Sequence, residues 1–320
     1  MKRAVILAAA LAFAGAAAAQ QYPSRAVRVV VPWPPGQATD LAARLVADKL
    51  SQALGQPFVA DNRPGAGGQI GTEAVVKAAP DGNTLLAASS GPISIMPVLQ
   101  KPPYDPLKDL APVSLIARVP FALVVNPSFP AANAKEFIAV IRASPDKYTF
   151  SSSGTGATAH MFTEMFNSTA ELKARHIPYK GTVPALTDIM NGQIAYTIET
   201  VAATAAHIKA GRLKAYGVST KRRTAALPDL PPLAEAADLP DYDAAAWVGY
   251  MAPPGTPKEL LVRLAAEIQK ALNSDDLKER YLFLGMDIAS NTPDEMAVFL
   301  RREQDRYAEI ARTANIKIEQ

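Results

Sequence analysis

Two α/β lobes with a helical C-terminal part are what the sequence predicts, and three observations predict them. The chain has 320 residues, room for two cores, since domains of roughly 100–200 residues are the common unit. Hydrophobic residues at 49% against charged residues at 20% give the balance of a chain that folds, not of a disordered tail. Finally, β-branched apolar runs alternate with stretches of helical periodicity in two separate series, as in mostly parallel sheets flanked by helices.

The first series opens with Ala26–Val31, an apolar run closed by Pro32, Pro34, Pro35 and Gly36, which predicts a buried strand leaving its sheet. From Thr39 to Leu54 the residues Leu41, Leu45, Val46, Leu50 and Leu54 recur at helical spacing, and Gly55 stands where glycine closes helices. A strand over Phe58–Ala60, a glycine-rich turn over Gly65–Gly71, a helix over Thr72–Ala79 and a strand over Thr84–Ala88 follow. The second series predicts strands at Ala122–Val125, Tyr148–Ser152, Ile194–Ile198 and Leu213–Val218, with helices at Lys135–Ala143, Thr158–Phe166, Pro184–Asn191 and Val201–Ala210. The proline-rich stretch Leu227–Pro240 reads as an ordered surface linker. Beyond it come one strand, Ala244–Ala252, and three helices, Pro257–Leu272, Asp275–Phe283 and Pro293–Ala314, with Pro257 and Pro293 suited to a first helical turn.

The N-terminus predicts the compartment. Lys2 and Arg3 precede an apolar run from Ala4 to Ala16 and the small residues Ala17, Ala18 and Ala19, the three regions of a secretory signal peptide over 1–19. The run is short of the roughly 20 residues a bilayer span needs. Cleavage after Ala19 would leave Gln20 first and lower the net charge from +3 to +1. With no cysteine for a lipid anchor, the expected product is a soluble periplasmic protein.

Composition excludes several functions. Thirty-three basic against 30 acidic residues are too balanced for a dedicated nucleic-acid binder. Absence of cysteine removes disulfide frameworks, thiolate zinc sites, iron–sulfur clusters and cysteine nucleophiles. His160, His176 and His207 make no metal-ligand spacing, and no metal or cofactor is expected. Nucleophile-elbow, phosphate-loop and zincin motifs are missing. Gly65-Ala-Gly67-Gly68-Gln-Ile-Gly71 has the wrong spacing for a dinucleotide loop and reads as a structural turn.

Three strand-end turns carry the functional signal. Ser152-Ser153-Gly154-Thr155-Gly156-Ala157 lies between a strand and a helix, where free backbone N–H groups and the helix dipole converge on an anion. Trp33-Pro34-Pro35-Gly36-Gln37-Ala38-Thr39-Asp40 follows the first strand, and Ser89-Ser90-Gly91 follows Leu85–Ala88. Turns after parallel strands share one sheet edge, so the three can line one crevice, although any one of them can also merely cap its helix. His160 buttresses its loop or serves as a base. Asp40 is a first-turn helix carboxylate or an acid. Trp33 is a cleft wall or a packed residue, and Tyr179-Lys180-Gly181 can offer a phenol or an ammonium.

The ordered set Pro32–Asp40, Asn62-Arg-Pro-Gly-Ala-Gly-Gly68, Ala79-Pro-Asp-Gly82, Tyr104-Asp-Pro-Leu-Lys-Asp109, Tyr179-Lys-Gly181, His207-Ile-Lys-Ala-Gly211 and Pro253-Pro-Gly-Thr-Pro257 resembles the Bug-type extracytoplasmic solute receptors of tripartite tricarboxylate transporters. The resemblance spans essentially the whole mature chain. It implies a two-lobed periplasmic binding protein of the type II, Venus-flytrap kind; the two β/α series and the returning strand Ala244–Ala252 divide it into a first lobe of 20–104 plus 224–320 and a second of 105–223. It further implies a monomer that captures a small organic carboxylate, or a related amide or amino acid, and delivers it to membrane permease subunits. The implied ligand-binding residues are Trp33, Pro35, Gly36, Gln37, Ala38 and Asp40, then Ser89, Ser90 and Gly91, and in the second lobe Ser152, Ser153, Gly154, Thr155, Gly156, Ala157 and His160, with Tyr179, Glu199 and Thr200 beside them.

Three departures from the family pattern stand out. Gln37 follows Pro35-Gly36 where a second glycine is common, and a positive φ there would cost on the order of 1 kcal/mol. Met96 stands where Asn is frequent, and Glu199-Thr200 where Asp is. An acid at the cleft would disfavour a second ligand carboxylate and favour an amine or hydroxyl. Two other functions compete: a secreted hydrolase using Ser153 and His160, and a solute sensor on the same fold. The hydrolase lacks an acid in that stretch to orient the imidazole as a triad requires.

Overall fold

The computed structural model describes residues 22–316; the expected signal peptide and its cleavage site lie outside them. The first series folds as β1 (Val27–Val31), α1 (Ala38–Leu54), β2 (Phe58–Asn62), α2 (Gln69–Val76) and β3 (Thr84–Ser89). β1 is flanked in parallel by β2 and β3, with Val29 opposite Ala60 on one side and Leu85 on the other. Val27, Val29, Val30 and Val31 are fully buried, as a β-branched strand covered on both faces must be. Each such side chain contributes roughly 1.5–3 kcal/mol. α1 ends at Gly55, whose φ of 73° lets its N–H close on the Ser51 carbonyl.

The chain then enters β4 (Ala111–Val125), followed by α3 (Ala134–Arg142), β5 (Thr149–Ser152), α4 (Thr158–Thr169), β6 (Arg175–Pro178), α5 (Thr182–Met190), β7 (Tyr196–Thr200), α6 (Val201–Lys209) and β8 (Lys214–Val218). It returns through β9 (Ala245–Ala252), α7 (Lys258–Leu272), α8 (Asp275–Phe283), β10 (Asp287–Ile288) and α9 (Pro293–Thr313). α9 opens on a capping box in which Thr292 and Glu295 satisfy each other's backbone N–H, with Pro293 in its first turn. Pro257, expected in a first turn, is instead the residue capping α7. Among the described residues no helix is long and apolar enough to cross a membrane.

The strands run in the order β2-β1-β3-β9-β4-β7-β5-β6, with β8 and β10 also on β4. The sheet as a whole is mixed, while each half keeps an expected run of parallel strands. β1, β2 and β3 are mutually parallel, as are β5, β6 and β7, but β4 is antiparallel to β7, β8 and β9. The reason is connectivity: β4 carries the chain out of the first half and β9 brings it back, so the two run in opposite directions.

β4 is far longer than the expected Ala122–Val125. Its prolines sit at a register shift after Pro112 and at Pro120, where pairing passes from β9 to β7 and β8. That changeover between Pro120 and Phe121 lies well beyond the expected division at 104/105. The return is marked by Ser219, whose backbone N–H donates to Phe121 O at 2.8 Å and whose carbonyl accepts the Ala244 N–H at 2.8 Å. Residues beyond the expected 223/224 division still pack on the second half, with Leu233 buried against Gly217 of β8. The Leu227–Pro240 linker thus contains a helical turn, Leu233–Ala236.

Two phenols fix α1, which presents the first turn. The Tyr250 hydroxyl donates to Ala43 O at 2.8 Å and the Tyr281 hydroxyl to Ala42 O at 3.3 Å. In the second half an aromatic core of Phe137, Phe150, Phe162, Phe166 and Tyr196 seats α4 on the sheet.

Candidate functional site

Strand direction alone brings the turns face to face. β1 and β3 run the same way as β4, because the two antiparallel steps across β3-β9-β4 reverse direction twice. Their C-terminal ends therefore point toward the second half. β5, β6 and β7 run against β4, so Ser152, Pro178 and Thr200 end pointing toward the first half. Both sets of turns therefore face the changeover in β4 from opposite sides.

The first-half turns are tied together. Trp33 Nε1 donates to Ser89 Oγ at 2.8 Å. The indole lies so close over Gly91 that a Cβ there would come within 3.0 Å of it. Ser90 Oγ faces away, accepting the Trp247 N–H at 2.8 Å. Positive φ falls on Gly36, at 83°, while Gln37 is extended at −77° and carries no strain. Gln37 is exposed, as are Pro35 and Gly36, and Ala38 is half-buried.

Asp40 is the anchor of this turn. It is 2% exposed, accepts the Gly36 N–H at 2.9 Å, and takes Arg44 Nε at 2.9 Å and Asn62 Nδ2 at 2.8 Å. Asn62 Nδ2 also donates to Trp33 O at 2.9 Å. Asp40 is thus a structural first-turn carboxylate. Arg44, four residues on, is a helical neighbour of Asp40, and Asn62 opens the Asn62–Gly68 motif. The glycine run 65–71 packs as a structural turn: a Cβ on Gly71 would meet Pro32 and the Arg63 carbonyl at 2.8–2.9 Å.

In the second half, Gly154 and Gly156 take φ of 142° and 75°, backbone that L side chains rarely adopt. His160 Nδ1 accepts the Gly156 N–H at 3.1 Å. Ser152 Oγ accepts the Gly154 N–H at 3.2 Å and lies 2.7 Å from His176 Nε2. The two imidazoles stack at 3.8 Å between centroids, 10° from parallel, and Phe150 stacks on His176 at 4.9 Å. α4 starts at Ala157 with no side-chain cap, and α1 likewise at Gln37. Their first-turn N–H groups are therefore free for an anion. Ser153 is half-buried and Thr155 exposed on the rim of this turn.

The remaining expected residues are engaged with the fold. The Tyr179 hydroxyl donates to Asp188 Oδ2 at 2.5 Å, and burial beside that carboxylate pushes its pKa up to about 12. Glu199 is 3% exposed, accepting the Thr200 N–H at 2.7 Å and the Thr182 hydroxyl at 3.1 Å, and burial raises its pKa. Thr200 caps α6 by accepting the Ala203 N–H. Met96 lies against Gly67. His176 escaped sequence reading as a site residue because it stands before a strand end, with nothing local to mark it as Ser152's neighbour across β5 and β6.

The hydrolase geometry is not formed. His160 Nδ1 is occupied by a backbone N–H, and the serine that meets an imidazole is Ser152, buried and also bonded to Gly154. Burial and the neighbouring His160 push the His176 pKa from 6.5 down to about 3, which makes it a poor base. The same shift makes a stability prediction. Above pH 6.5 both folded and unfolded chains hold His176 neutral; as pH falls from 6.5 toward about 3 the unfolded chain takes up a proton that the folded chain refuses, so stability is progressively lost. His176→Phe, unable to titrate, should show a shallower fall in urea midpoint than wild type between about pH 6.5 and 4. Parallel declines would remove His176 as the cause.

A mixed α/β sheet split about one shared strand, with opposed strand-end turns, defines a periplasmic-binding-protein fold and a solute receptor. Known proteins agree. The family described as tripartite tricarboxylate transporter family receptor (TctC) matches residues 42–316. Protein BugT of Bordetella pertussis is 38% identical over 313 residues, covering 96% of each chain. Among solved structures, an R. palustris protein with adipate superposes with a TM-score of 0.82 at 34% identity, covering 92% of this chain and 99% of that one. MatC from Rhodopseudomonas palustris with bound malate superposes at 0.77 and 31% identity, covering 90% and 99%. This chain belongs to the TctC receptor family, whose members are solute-binding receptors and not enzymes.

Proposed function

We propose that this receptor is exported to the periplasm, captures a small organic carboxylate between the opposed strand-end turns, and presents it to the membrane permease of a tripartite transporter. The single observation that carries the reading is the convergence of uncapped helix starts, at Gln37 and Ala157, from two halves whose strands point at one another. Backbone N–H groups and two positive helix ends hold an anion there without a lysine or arginine. Adipate and malate, bound by structural relatives, are both dicarboxylates and support the ligand class. The N-terminal Lys2-Arg3 and apolar run supply the export signal.

The lobes in this reading are 22–120 with 245–316, and 121–244, and they hinge at Pro120/Phe121 and Ser219/Ala244. A thermal-shift panel of dicarboxylates, monocarboxylates, amides and amino acids tests it. An acid at about 100 times its dissociation constant should add roughly 2.7 kcal/mol of stability. Small-angle scattering should show compaction with the same acid, as flytrap closure requires. No shift with any carboxylate, or an unchanged radius at saturation, would overturn the proposal.

A further inference from the structure

We propose that His160 and His176 are a stacked pair of positioning residues that hold the Ser152–Ala157 turn in its anion-receiving form, each imidazole engaging one polar group of the turn. The inference rests on reading that turn as the carboxylate seat.

α1 and α4 are built alike at their starts. In α1 the third residue, Asp40, accepts the N–H of Gly36, the residue before the cap; in α4 the third residue, His160, accepts the N–H of Gly156 in the same place. The contact turns the glycine N–H inward and sets the loop's path over the helix start. In the first lobe a carboxylate does this, and Arg44 at 2.9 Å offsets its charge. In the second lobe an imidazole nitrogen does it, so the accepting group itself places no negative charge beside the donors that would receive a ligand carboxylate.

A lone imidazole can swivel about its side-chain torsions, and here the ring is pinned. His160 is 5% exposed and lies 3.8 Å from the His176 ring, which Phe150 covers in turn. His176 Nε2 meets Ser152 Oγ, and that hydroxyl also holds Gly154 through its N–H and carbonyl. One stack therefore fixes the two glycines with positive φ, each through a separate nitrogen. Glu164, with Oε1 at 3.7 Å from His160 Nε2, is the charged side chain beside the pair.

The experiment combines backbone amide exchange on the ligand-free protein with calorimetric titration of adipate and malate. In wild type the Gly156 amide should be protected from exchange, and His160→Phe should remove that protection. His160→Phe and His176→Phe should each weaken binding of the dicarboxylate about tenfold or more. His160→Asn, whose amide oxygen can accept the Gly156 N–H, should stay within about threefold of wild type. A packing role alone would not give rescue by His160→Asn, so that variant decides the matter should the phenylalanine variants fail to fold: a tenfold or greater loss in folded His160→Asn would overturn the pair. Unchanged affinity in both phenylalanine variants, while Gly156→Val binds nothing, would overturn the positioning role and leave the turn as the anion seat. Wild-type affinity in Gly156→Val would overturn the anion seat itself. Should neither acid bind wild type, the carboxylate reading falls and Gly156 exchange alone judges the pair: protection unchanged in His160→Phe would overturn it.

Discussion

Gly156→Val is expected to abolish carboxylate binding while the protein stays folded. Gly156 sits at φ 75°, and its N–H is spent on His160 Nδ1 at 3.1 Å. A left-handed backbone costs an L residue about 1–2 kcal/mol, and a β-branched one is restricted further. Valine will therefore drive the turn out of this conformation, moving the start of α4 and its free N–H groups together. Losing two or more charge-assisted hydrogen bonds at about 1.5–3 kcal/mol each corresponds to well over a hundredfold in affinity. Gly154→Val should act in the same direction, since Gly154 holds φ 142°. Ser153→Ala should do much less, because only one half-buried hydroxyl is lost. Calorimetric titration of variants with native circular dichroism measures this, and wild-type affinity in both glycine variants would place the anion elsewhere.

Asp40→Ala should be the most destabilising substitution in the first-lobe turn. It removes a carboxylate 2% exposed that receives Gly36, Arg44 and Asn62, and leaves the N–H of Gly36 and the amide of Asn62 short of an acceptor. Each unsatisfied group costs about 1–3 kcal/mol, so a loss of about 3 kcal/mol in a urea melt is expected, with weaker binding because Trp33 and Gly36 lose their common brace. Asp40→Asn keeps an acceptor for Gly36 and should lose roughly half as much. A midpoint unchanged in Asp40→Ala would show that the network contributes nothing to the fold.

Both predictions turn on contacts of different legibility. Gly36, Gly154, Gly156 and the helices behind them were readable because glycine before a helix start is a local signal, decided by the backbone of a few neighbouring residues. The β/α alternation was readable for the same reason, since periodicity reports which face of each segment is buried. The length of β4 was not readable: the apolar run Ala122–Val125 marks only its end, and the rest, with register shifts after Pro112 and Leu115, is held by pairing to β9.

From the sequence alone came the two β/α series, the strand-end turns and the family resemblance, because each is written in local periodicity or in ordered short motifs. Tertiary structure alone decided where pairing changes along β4, that the two sets of strand ends point at each other, and that His176 lies on Ser152 and against His160, twenty-four and sixteen residues away. It also committed Tyr179 to Asp188 and buried Glu199 behind Thr182 and Thr200. These depend on strand order and direction, which are set by how separate segments pack, and no spacing along the chain records which strands become neighbours.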